Sequence, residues 1–352
     1  MLGRAFLLGL VTLLGSSSAS TQVLTLAGPV SELAADGGRV AILLRTKTGN
    51  CARDRVAVWA PGTRTLVPIG ASACAGSTST GDGLFGAALA GTRVAYVQFA
   101  GGNTRELRLR LATLAHPRAV TTASASYGVD QPQGTYIGRV AGSGSLLAFD
   151  WWSQCAPCAQ AAPVAPRSSI FRLVSSGGSA CPNAGLGALP RCRPVASVAG
   201  PLRLLAVGGG LVAMRTGDDV AVRSLDGAVV WSGTLPGLLA ARIDGRVLVA
   251  LARSGSQNSL WAVDVSTGVR TGPWRLPGSA ALRLEDYRAE IAVYVLGRAV
   301  HLLRLAGEPN VTIRAPGPGP VHAQLGPSGL FYSYRAPGGR GRVAFVPMAP
   351  LR

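Results

Sequence analysis

A short apolar segment that recurs along the chain is the feature that most restricts its fold. Each copy holds three or four mostly apolar residues, follows Gly or a small polar turn, and begins 35 to 65 residues after the copy before it. The seven copies are residues 40–43, 94–97, 147–149, 212–214, 247–249, 291–294 and 331–334. A period in this range indicates a repeat protein in which each unit is one supersecondary element.

Every copy has the same kind of neighbours. A short strand precedes each copy, at residues 31–35, 85–89, 137–141, 202–207, 238–243, 282–285 and 321–325. Another follows it, at residues 55–60, 107–111, 170–174, 220–225, 260–265, 300–305 and 342–348. Most copies then continue through a turn into a fourth strand, as at residues 66–68 and 229–231. Four short strands joined by Gly, Pro, Asp and Ser turns, without helical periodicity, predict an all-β chain of four-stranded antiparallel blades, a β-propeller.

The two ends of the chain complement each other. The seventh unit ends after its third strand, while residues 22–26 form a strand that precedes the first unit. We expect residues 22–26 to supply the fourth strand of the last blade, which would close a seven-bladed ring and remove its open edges. The sequence thus predicts a single domain over residues 21–352, with residues 153–192 as a cysteine-containing insertion in blade three.

Residues 1–20 are typical of a signal peptide. Arg4 supplies the positive charge, residues 5–15 are apolar, and residues 16–20 are small. The apolar run is too short to cross a bilayer, and we predict no membrane span later in the chain. The mature protein is therefore expected to be secreted or periplasmic, and its six cysteines fit such an oxidising compartment.

The positions of the cysteines suggest a disulfide pairing. Loops after strands two and four of a blade lie on one face of the propeller, and loops after strands one and three lie on the other. This alternation predicts the pairs Cys51–Cys74, Cys155–Cys158 and Cys181–Cys192. Two alternatives are open for the C-x-x-C segment at residues 155–158: a redox pair, or a zinc site completed by the cysteines at 181 and 192.

The charge of the chain is strongly positive. The formal net charge is +18, and all but one of the 34 basic residues are arginines that are scattered along the sequence. Since no basic run occurs and only 6% of residues are aromatic, a basic surface is favoured over a nucleic-acid site. A site for another polyanion is the alternative.

Charged residues on the innermost strands are candidate binding residues. A charge there is costly unless its side chain reaches the central channel. The candidates are Arg139, Arg203, Arg242, Arg283, Glu32 and His322. A ring of guanidinium groups would bind carboxylate or phosphate. Alternatively, these side chains hydrate the channel or pair locally with Asp244 and Glu285.

Two adjacent tryptophans begin the predicted insertion. Trp151 and Trp152 follow Asp150 at the end of a predicted strand. Because alternation places one ring on each side of the sheet, packing between blades is the first interpretation. A stacking platform for a sugar or a peptide is the second.

Catalysis has little support in the sequence. The chain has three histidines, and it lacks H-E-x-x-H, G-x-S-x-G and a paired-carboxylate cluster. We interpret Asp36, Asp82, Asp226 and Asp244 as turn formers. No catalytic residue, metal site or cofactor is predicted.

Two units carry a more specific pattern. Residues 260–268 are followed by Trp274, and residues 220–227 by Trp231. These segments resemble the repeats of PQQ-type (quinoprotein-like) and WD-repeat-like bacterial propellers, and the overall build is similar to that of TolB-type propellers. The resemblance implies an Asp or Thr-Gly turn between outer strands and a Trp docked between blades. It carries no cofactor ligand to this chain.

These observations predict a function in the cell envelope. The first hypothesis is a secreted, monomeric, non-catalytic scaffold that binds an envelope protein or an anionic envelope polymer, with no specific nucleic-acid partner. The alternative is a quinoprotein-like oxidoreductase or a propeller lyase. Its site would lie at the channel mouth, where Arg139, Arg203 and Arg283 would hold the anion.

Overall fold

The computed structural model describes residues 21–48, 51–63, 65–72, 82–129, 133–154, 167–183, 191–307 and 310–351. Over these ranges the chain is all-β, as predicted, and its only helices are three short 3-10 turns. The turns are Pro61–Thr63, Pro337–Gly339 and Ala349–Leu351. The predicted signal peptide lies outside the described residues.

The strands follow one another with short connections. The first thirteen are β1 (Gln22–Thr25), β2 (Val30–Asp36), β3 (Arg39–Thr48), β4 (Cys51–Ala60), β5 (Thr65–Ala71), β6 (Gly83–Ala90), β7 (Arg93–Gly101), β8 (Thr104–Thr113), β9 (Val120–Gly128), β10 (Gly134–Ser143), β11 (Leu146–Gln154), β12 (Arg167–Val174) and β13 (Arg191–Ala199). The others are β14 (Arg203–Gly208), β15 (Leu211–Thr216), β16 (Asp219–Ser224), β17 (Val229–Thr234), β18 (Leu238–Asp244), β19 (Val247–Ser254), β20 (Gln257–Asp264), β21 (Arg270–Leu276), β22 (Arg283–Arg288), β23 (Ile291–Leu296), β24 (Ala299–Arg304), β25 (Val311–Arg314), β26 (Ala323–Gly326), β27 (Gly329–Arg335) and β28 (Gly341–Pro347).

Antiparallel meanders account for the sheets. Four sheets contain consecutive strands: β2–β5, β14–β17, β18–β21 and β22–β25. A fifth has the order β1-β28-β27-β26, so the first strand lies beside the last. Strands β6–β13 form an eight-stranded sheet whose halves are joined between β9 and β10 by a single residue pair, Gly134 and Tyr127.

The first strand of each meander lies at the centre of the molecule. We call β2, β6, β10, β14, β18, β22 and β26 the inner strands. Each inner strand contacts the next in chain order, and β26 contacts β2. The predicted short apolar segments all lie in the strands paired with them. Val40, Ile42 and Leu43 of β3 are fully buried, because neighbouring sheets cover both faces of that strand.

The apolar core is divided among the junctions between neighbouring meanders. At one junction Leu146 and Ile170 pack with Leu204 and Met214. Burial decreases toward the outer strands, where Val229 is 54% exposed. Each meander therefore depends on its neighbours for much of its buried surface.

A β-bulge recurs in the inner strands. The register against the second strand shifts at Val30/Glu32, Phe85/Ala88, Ile137/Val140, Leu204/Ala206, Leu238/Ala240 and Leu284/Asp286. A bulge disrupts the ladder locally, leaves backbone groups without strand partners and turns a side chain in a new direction. These bulges shape the centre of the molecule.

The predicted Cys181–Cys192 disulfide is confirmed. The bond joins the β12–β13 connection to β13, and both cysteines are buried in the apolar core. Because oxidised cysteines offer no thiolate, the four-cysteine zinc alternative is wrong. Cys74, Cys155 and Cys158 lie outside the described residues, and only the backbone of Cys51 is described.

The disulfide fits an extracytoplasmic protein. Within the described ranges, no helix has the length and apolar character needed to cross a membrane. The predicted insertion at residues 153–192 contains strand β12.

Candidate functional site

A cavity of about 430 Å³ lies between the inner strands. Its lining residues belong to these strands, apart from His322, which directly precedes β26. The charged or titratable side chains among them are Glu32, Arg139, Arg242, Asp244, Glu285, Asp286, Tyr287, Arg288 and His322. The structure therefore brings four of the predicted site residues together: Glu32, Arg139, Arg242 and His322.

Glu32 connects β2 to the next inner strand. Its Oε1 accepts a hydrogen bond from the backbone N–H of Gly86 at 3.2 Å, and its Oε2 accepts one from Ala87 at 2.9 Å. Both donors lie in the bulge of β6, where Gly86 has a φ of 66°. Burial raises the pKa of Glu32, although the two backbone hydrogen bonds oppose this shift. Glu32 thus stabilises a junction between sheets.

Asp150 makes a similar connection at the next junction. Its Oδ1 accepts from the backbone N–H of Arg139 at 2.6 Å, and its Oδ2 accepts from Leu204 at 3.0 Å. Arg139 lies in the bulge of β10, and Leu204 is the second residue of β14. Burial raises the pKa of Asp150. One buried carboxylate therefore fixes the backbones of two inner strands.

Asp286 and Asp54 join further pairs of strands. Asp286 Oδ2 accepts from the backbone N–H of Leu325 in β26 at 2.7 Å, and burial raises the pKa of Asp286 to about 6. Asp54 Oδ2 accepts from the backbone N–H of Leu84 in β6 at 2.9 Å. We use the term carboxylate clamps for Glu32, Asp54, Asp150 and Asp286.

Two of the predicted turn formers also accept hydrogen bonds from other meanders. Asp36 accepts from the backbone N–H of Gly91 at 2.6 Å and of Gly144 at 3.1 Å, both in turns of other meanders. Asp244 accepts from Ala289 at 3.0 Å. These two residues begin hairpin turns, but the turn-former interpretation misses their long-range contacts. Asp226 does act within its own turn, where Ser224 and the N–H of Ala228 donate to it.

Arg139 differs from the other charged groups in the cavity. Its backbone lies in the β10 bulge and its side chain lines the cavity. Among the described residues, none forms a hydrogen bond or ion pair with the Arg139 guanidinium. Burial and the nearby positive charge of Arg242 lower the pKa of Arg139 to about 9. The group remains cationic at neutral pH, with its donors available to a ligand.

The guanidinium of Arg242 already donates two hydrogen bonds to backbone carbonyls. Its Nε donates to the Glu285 carbonyl at 2.8 Å, and its Nη1 donates to the Ala241 carbonyl at 2.9 Å. These bonds hold Arg242 beside the cavity despite the repulsion from Arg139. An anion between the two guanidinium groups would relieve that repulsion and pair with both.

The other two predicted arginines are placed elsewhere. Arg203 lies over the ring of Trp152, with its Cζ 3.6 Å from the ring centroid. Arg283 forms an ion pair with Glu285, with 2.8 Å between Nε and Oε1. Neither lines the cavity. The structure therefore divides the predicted arginine ring into two cavity residues and two residues outside it.

Trp151 and Trp152 have different surroundings. Trp151 packs against the apolar core, next to β10 and β12. Trp152 stacks on Tyr136, with ring centroids 5.2 Å apart, and also contacts the Arg203 guanidinium. Because Tyr136 and Arg203 already contact its ring, Trp152 fits the packing interpretation better than an open stacking platform.

His322 lies near Glu285 on the cavity wall, with 3.9 Å between Nδ1 and Oε2. In the described part of the chain, no three His, Cys, Asp or Glu side chains are grouped so that they could hold a metal ion. Among the cavity carboxylates, Glu32, Asp244 and Asp286 accept backbone N–H groups, whereas Glu285 pairs with the Arg283 guanidinium.

Comparison with solved structures identifies the fold. An oligogalacturonate lyase in complex with manganese superposes with a TM-score of 0.54 at 12% identity, over 95% of this chain and 100% of the lyase chain. The β-propeller domain of the Trilobed protease from Pyrococcus furiosus, which has an open velcro topology, gives 0.53 at 8% identity, over 90% of this chain and 93% of that domain. The chain is a β-propeller.

An acylaminoacyl peptidase from Pyrococcus horikoshii gives a TM-score of 0.53 at 9% identity, over 88% of this chain. The propeller spans about half of that peptidase chain, at 49%. No protein-family model matches the propeller, and no curated protein matches it in sequence. At these identities the similarity concerns the fold alone. The finer resemblance to PQQ-type and WD-repeat propellers stays a prediction.

Proposed function

We propose that this propeller is a secreted, non-catalytic binding scaffold that takes a carboxylate or phosphate group of an anionic envelope polymer into its central cavity. The observation that carries the proposal is the Arg139 guanidinium, which lines the cavity and has no hydrogen-bonding partner among the described residues. A cation held in this way offers a complete planar set of donors to an oxyanion.

The acidic groups in the cavity do not compete for that role. Glu32 and Asp286 each accept two backbone N–H groups, and Glu285 is paired with Arg283. These carboxylates are thus paired within the protein, whereas the Arg139 donors have no partner among the described residues. The unused Arg139 donors therefore support the binding of an anion in the cavity.

The ring that surrounds the cavity is part of the proposal. We propose seven blades, with the eight-stranded sheet counted as two because one residue pair joins β9 to β10. The sequential contacts of the inner strands support a closed ring. Pairing of β1 with β28 over Gln22–Thr25 supports closure by the N-terminal strand.

The enzymatic alternative has less support. An oxidoreductase or lyase at the channel mouth would use Arg139, Arg203 and Arg283 together as its anion clamp. Only Arg139 of these three lines the cavity, since Arg203 is stacked on Trp152 and Arg283 is paired with Glu285. A binding role needs no further group.

The first test is a binding titration of the Arg139→Gln variant. Polygalacturonate and polyphosphate serve as carboxylate and phosphate probes, and calorimetry at two salt concentrations measures the dissociation constant. Losing the charge-assisted hydrogen bonds of Arg139 should weaken binding about 10- to 100-fold. Arg118→Gln is the matched control, because Arg118 lies on an exposed connection between β8 and β9. Equal affinities for the two variants would refute the cavity site.

The pH dependence of binding is a second prediction. Asp286, with its pKa of about 6, lies near Arg242. Lowering the pH from 7.5 to 5 protonates this carboxyl and removes a negative charge from the cavity wall, while the arginines stay charged. Affinity for a sulfated probe, whose own charge is constant over this range, should rise about threefold to tenfold.

The variant Asp286→Asn isolates this contribution. At pH 7.5 it should bind dextran sulfate more tightly than the wild type does, and its affinity should change less between pH 7.5 and pH 5. Titration calorimetry at both pH values gives the comparison. An unchanged pH dependence in Asp286→Asn would show that Asp286 does not control the cavity charge.

A further inference from the structure

A second pair of arginines, Arg203 and Arg215, lies on the β14–β15 hairpin, where the Leu204 N–H donates to the Asp150 clamp. Asp150 accepts from the N–H of Arg139 through Oδ1 and from the N–H of Leu204 through Oδ2. Arg203 directly precedes Leu204. A Cβ on Gly138, beside Arg139, would lie 2.7 Å from the Trp152 ring on which Arg203 stacks. Arg139 and Arg203 thus lie on either side of one small junction.

The orientation of Arg203 is fixed by an aromatic stack. Tyr127 stacks on Tyr136 with centroids 4.5 Å apart, Tyr136 stacks on Trp152 at 5.2 Å, and the Arg203 guanidinium covers Trp152 at 3.6 Å. A guanidinium that stacks on a ring keeps its N–H donors at its edge. Only Nη1 of Arg203 has a hydrogen-bond partner among the described residues, the Leu202 carbonyl at 3.2 Å.

A like charge lies directly opposite Arg203. Arg215 is its cross-strand partner in the pairing of β14 with β15. Like charges at such a position destabilise a sheet. Burial, opposed by Asp150 and assisted by the charge of Arg215, lowers the pKa of Arg203. Both oxygens of Asp150 accept backbone N–H groups, so this carboxylate makes no direct hydrogen bond to the Arg203 guanidinium.

Arg215 continues the positive surface away from the cavity. Its Nη1 donates to the Leu238 carbonyl at 3.0 Å, which holds the side chain between neighbouring blades. Arg215, Arg223 and Leu202 line a groove of about 360 Å³ formed by β13 and the β14–β17 blade. Arg139 thus lines the cavity, Arg215 lines this groove, and Arg203 is the cross-strand partner of Arg215.

We propose that Arg203 and Arg215 form a second anion subsite, so that the protein binds a linear polymer with repeated carboxylate or phosphate groups rather than a single anion. The inference rests on the proposed function, because the cavity site would hold the first anionic group. Two anionic groups on one chain gain affinity through the high effective concentration of the second. The stacked and cross-paired arginines provide the positive charge that the second group would neutralise.

A length series tests the proposal. Galacturonate and its dimer, tetramer and hexamer form one arm, and phosphate, pyrophosphate and tetraphosphate form the other. At 150 mM salt the wild type should bind the longer members of one arm about 10- to 100-fold more tightly than its monomer. The arm that shows the increase identifies the source of the anionic groups.

Variants separate this inference from the proposed function. The double variant Arg203→Gln/Arg215→Gln should bind the monomer as the wild type does but lose the gain with length, whereas Arg139→Gln should weaken both. Arg203→Lys, which keeps the charge but loses the planar guanidinium, should lose part of the gain, and circular dichroism verifies its fold. A gain with length that persists in the double variant would overturn the second subsite alone. An Arg139→Gln variant with wild-type affinity for the monomer would overturn the cavity site as well.

Discussion

The variant Asp150→Ala should have a free energy of unfolding about 3–5 kcal/mol below that of the wild type. The substitution removes the acceptor for the backbone N–H groups of Arg139 and Leu204, which lie on two different inner strands. It also removes a negative charge that stabilises the cationic forms of Arg139 and Arg203. Urea denaturation followed by circular dichroism at pH 7 measures the change.

Two further variants calibrate this effect. Asp150→Asn keeps one amide oxygen as an acceptor and should lose less stability than Asp150→Ala. Asp226→Ala removes an exposed turn carboxylate and should change stability little. If Asp150→Ala and Asp226→Ala unfolded at the same urea concentration, the proposed importance of the clamp would be wrong.

A chain that begins at Ala27, and so lacks β1, should be destabilised by about 3–5 kcal/mol and should self-associate. Residues Gln22–Thr25 pair with β28, Leu24 packs against the core, and the buried Leu26 donates its N–H to Gly341 at 2.9 Å. Without these residues, the core loses the packing of Leu24 and Leu26, and β28 becomes an open edge.

Thermal unfolding and light scattering measure the two consequences separately. The control is Val23→Ala, because Val23 is 48% exposed in the same strand and its truncation should have little effect. A shortened chain that stayed monomeric with the wild-type melting temperature would contradict closure through β1.

The central strands could be predicted because their residues are apolar on both faces. Residues 40–43, for example, form a continuous apolar run that is buried on both sides of β3. The outer strands gave weaker patterns. In β17 the apolar residues 229–231 predict a strand, but its continuation to Thr234 is polar and could not be distinguished from a loop.

The site could be predicted only in part, because bulges change which side chains face the channel. Arg139 and Arg283 occupy similar positions in the sequence pattern of their units. Arg139 lies within the bulge of β10 and lines the cavity, whereas Arg283 precedes the bulge of β22 and is exposed. A shift of one residue reverses the side of a strand on which a side chain lies.

The carboxylate clamps could not be predicted, because their partners are distant in sequence. Glu32 binds backbone groups 54 and 55 residues away, and Asp150 reaches 54 residues to Leu204. The donors are backbone N–H groups, so the type of the donor residue does not reveal the contact. A glycine at a bulge, such as Gly86, is the only local trace at that junction.

The clamps have a consequence for how the propeller unfolds. Glu32, Asp54 and Asp150 each accept hydrogen bonds from an inner strand that belongs to the next meander. When a single meander detaches, a carboxylate on one side and a backbone N–H on the other lose their hydrogen-bond partners. The hydrogen bonds at the junctions between meanders therefore make unfolding cooperative. The molecule should melt in one transition, whereas an open solenoid can unfold repeat by repeat.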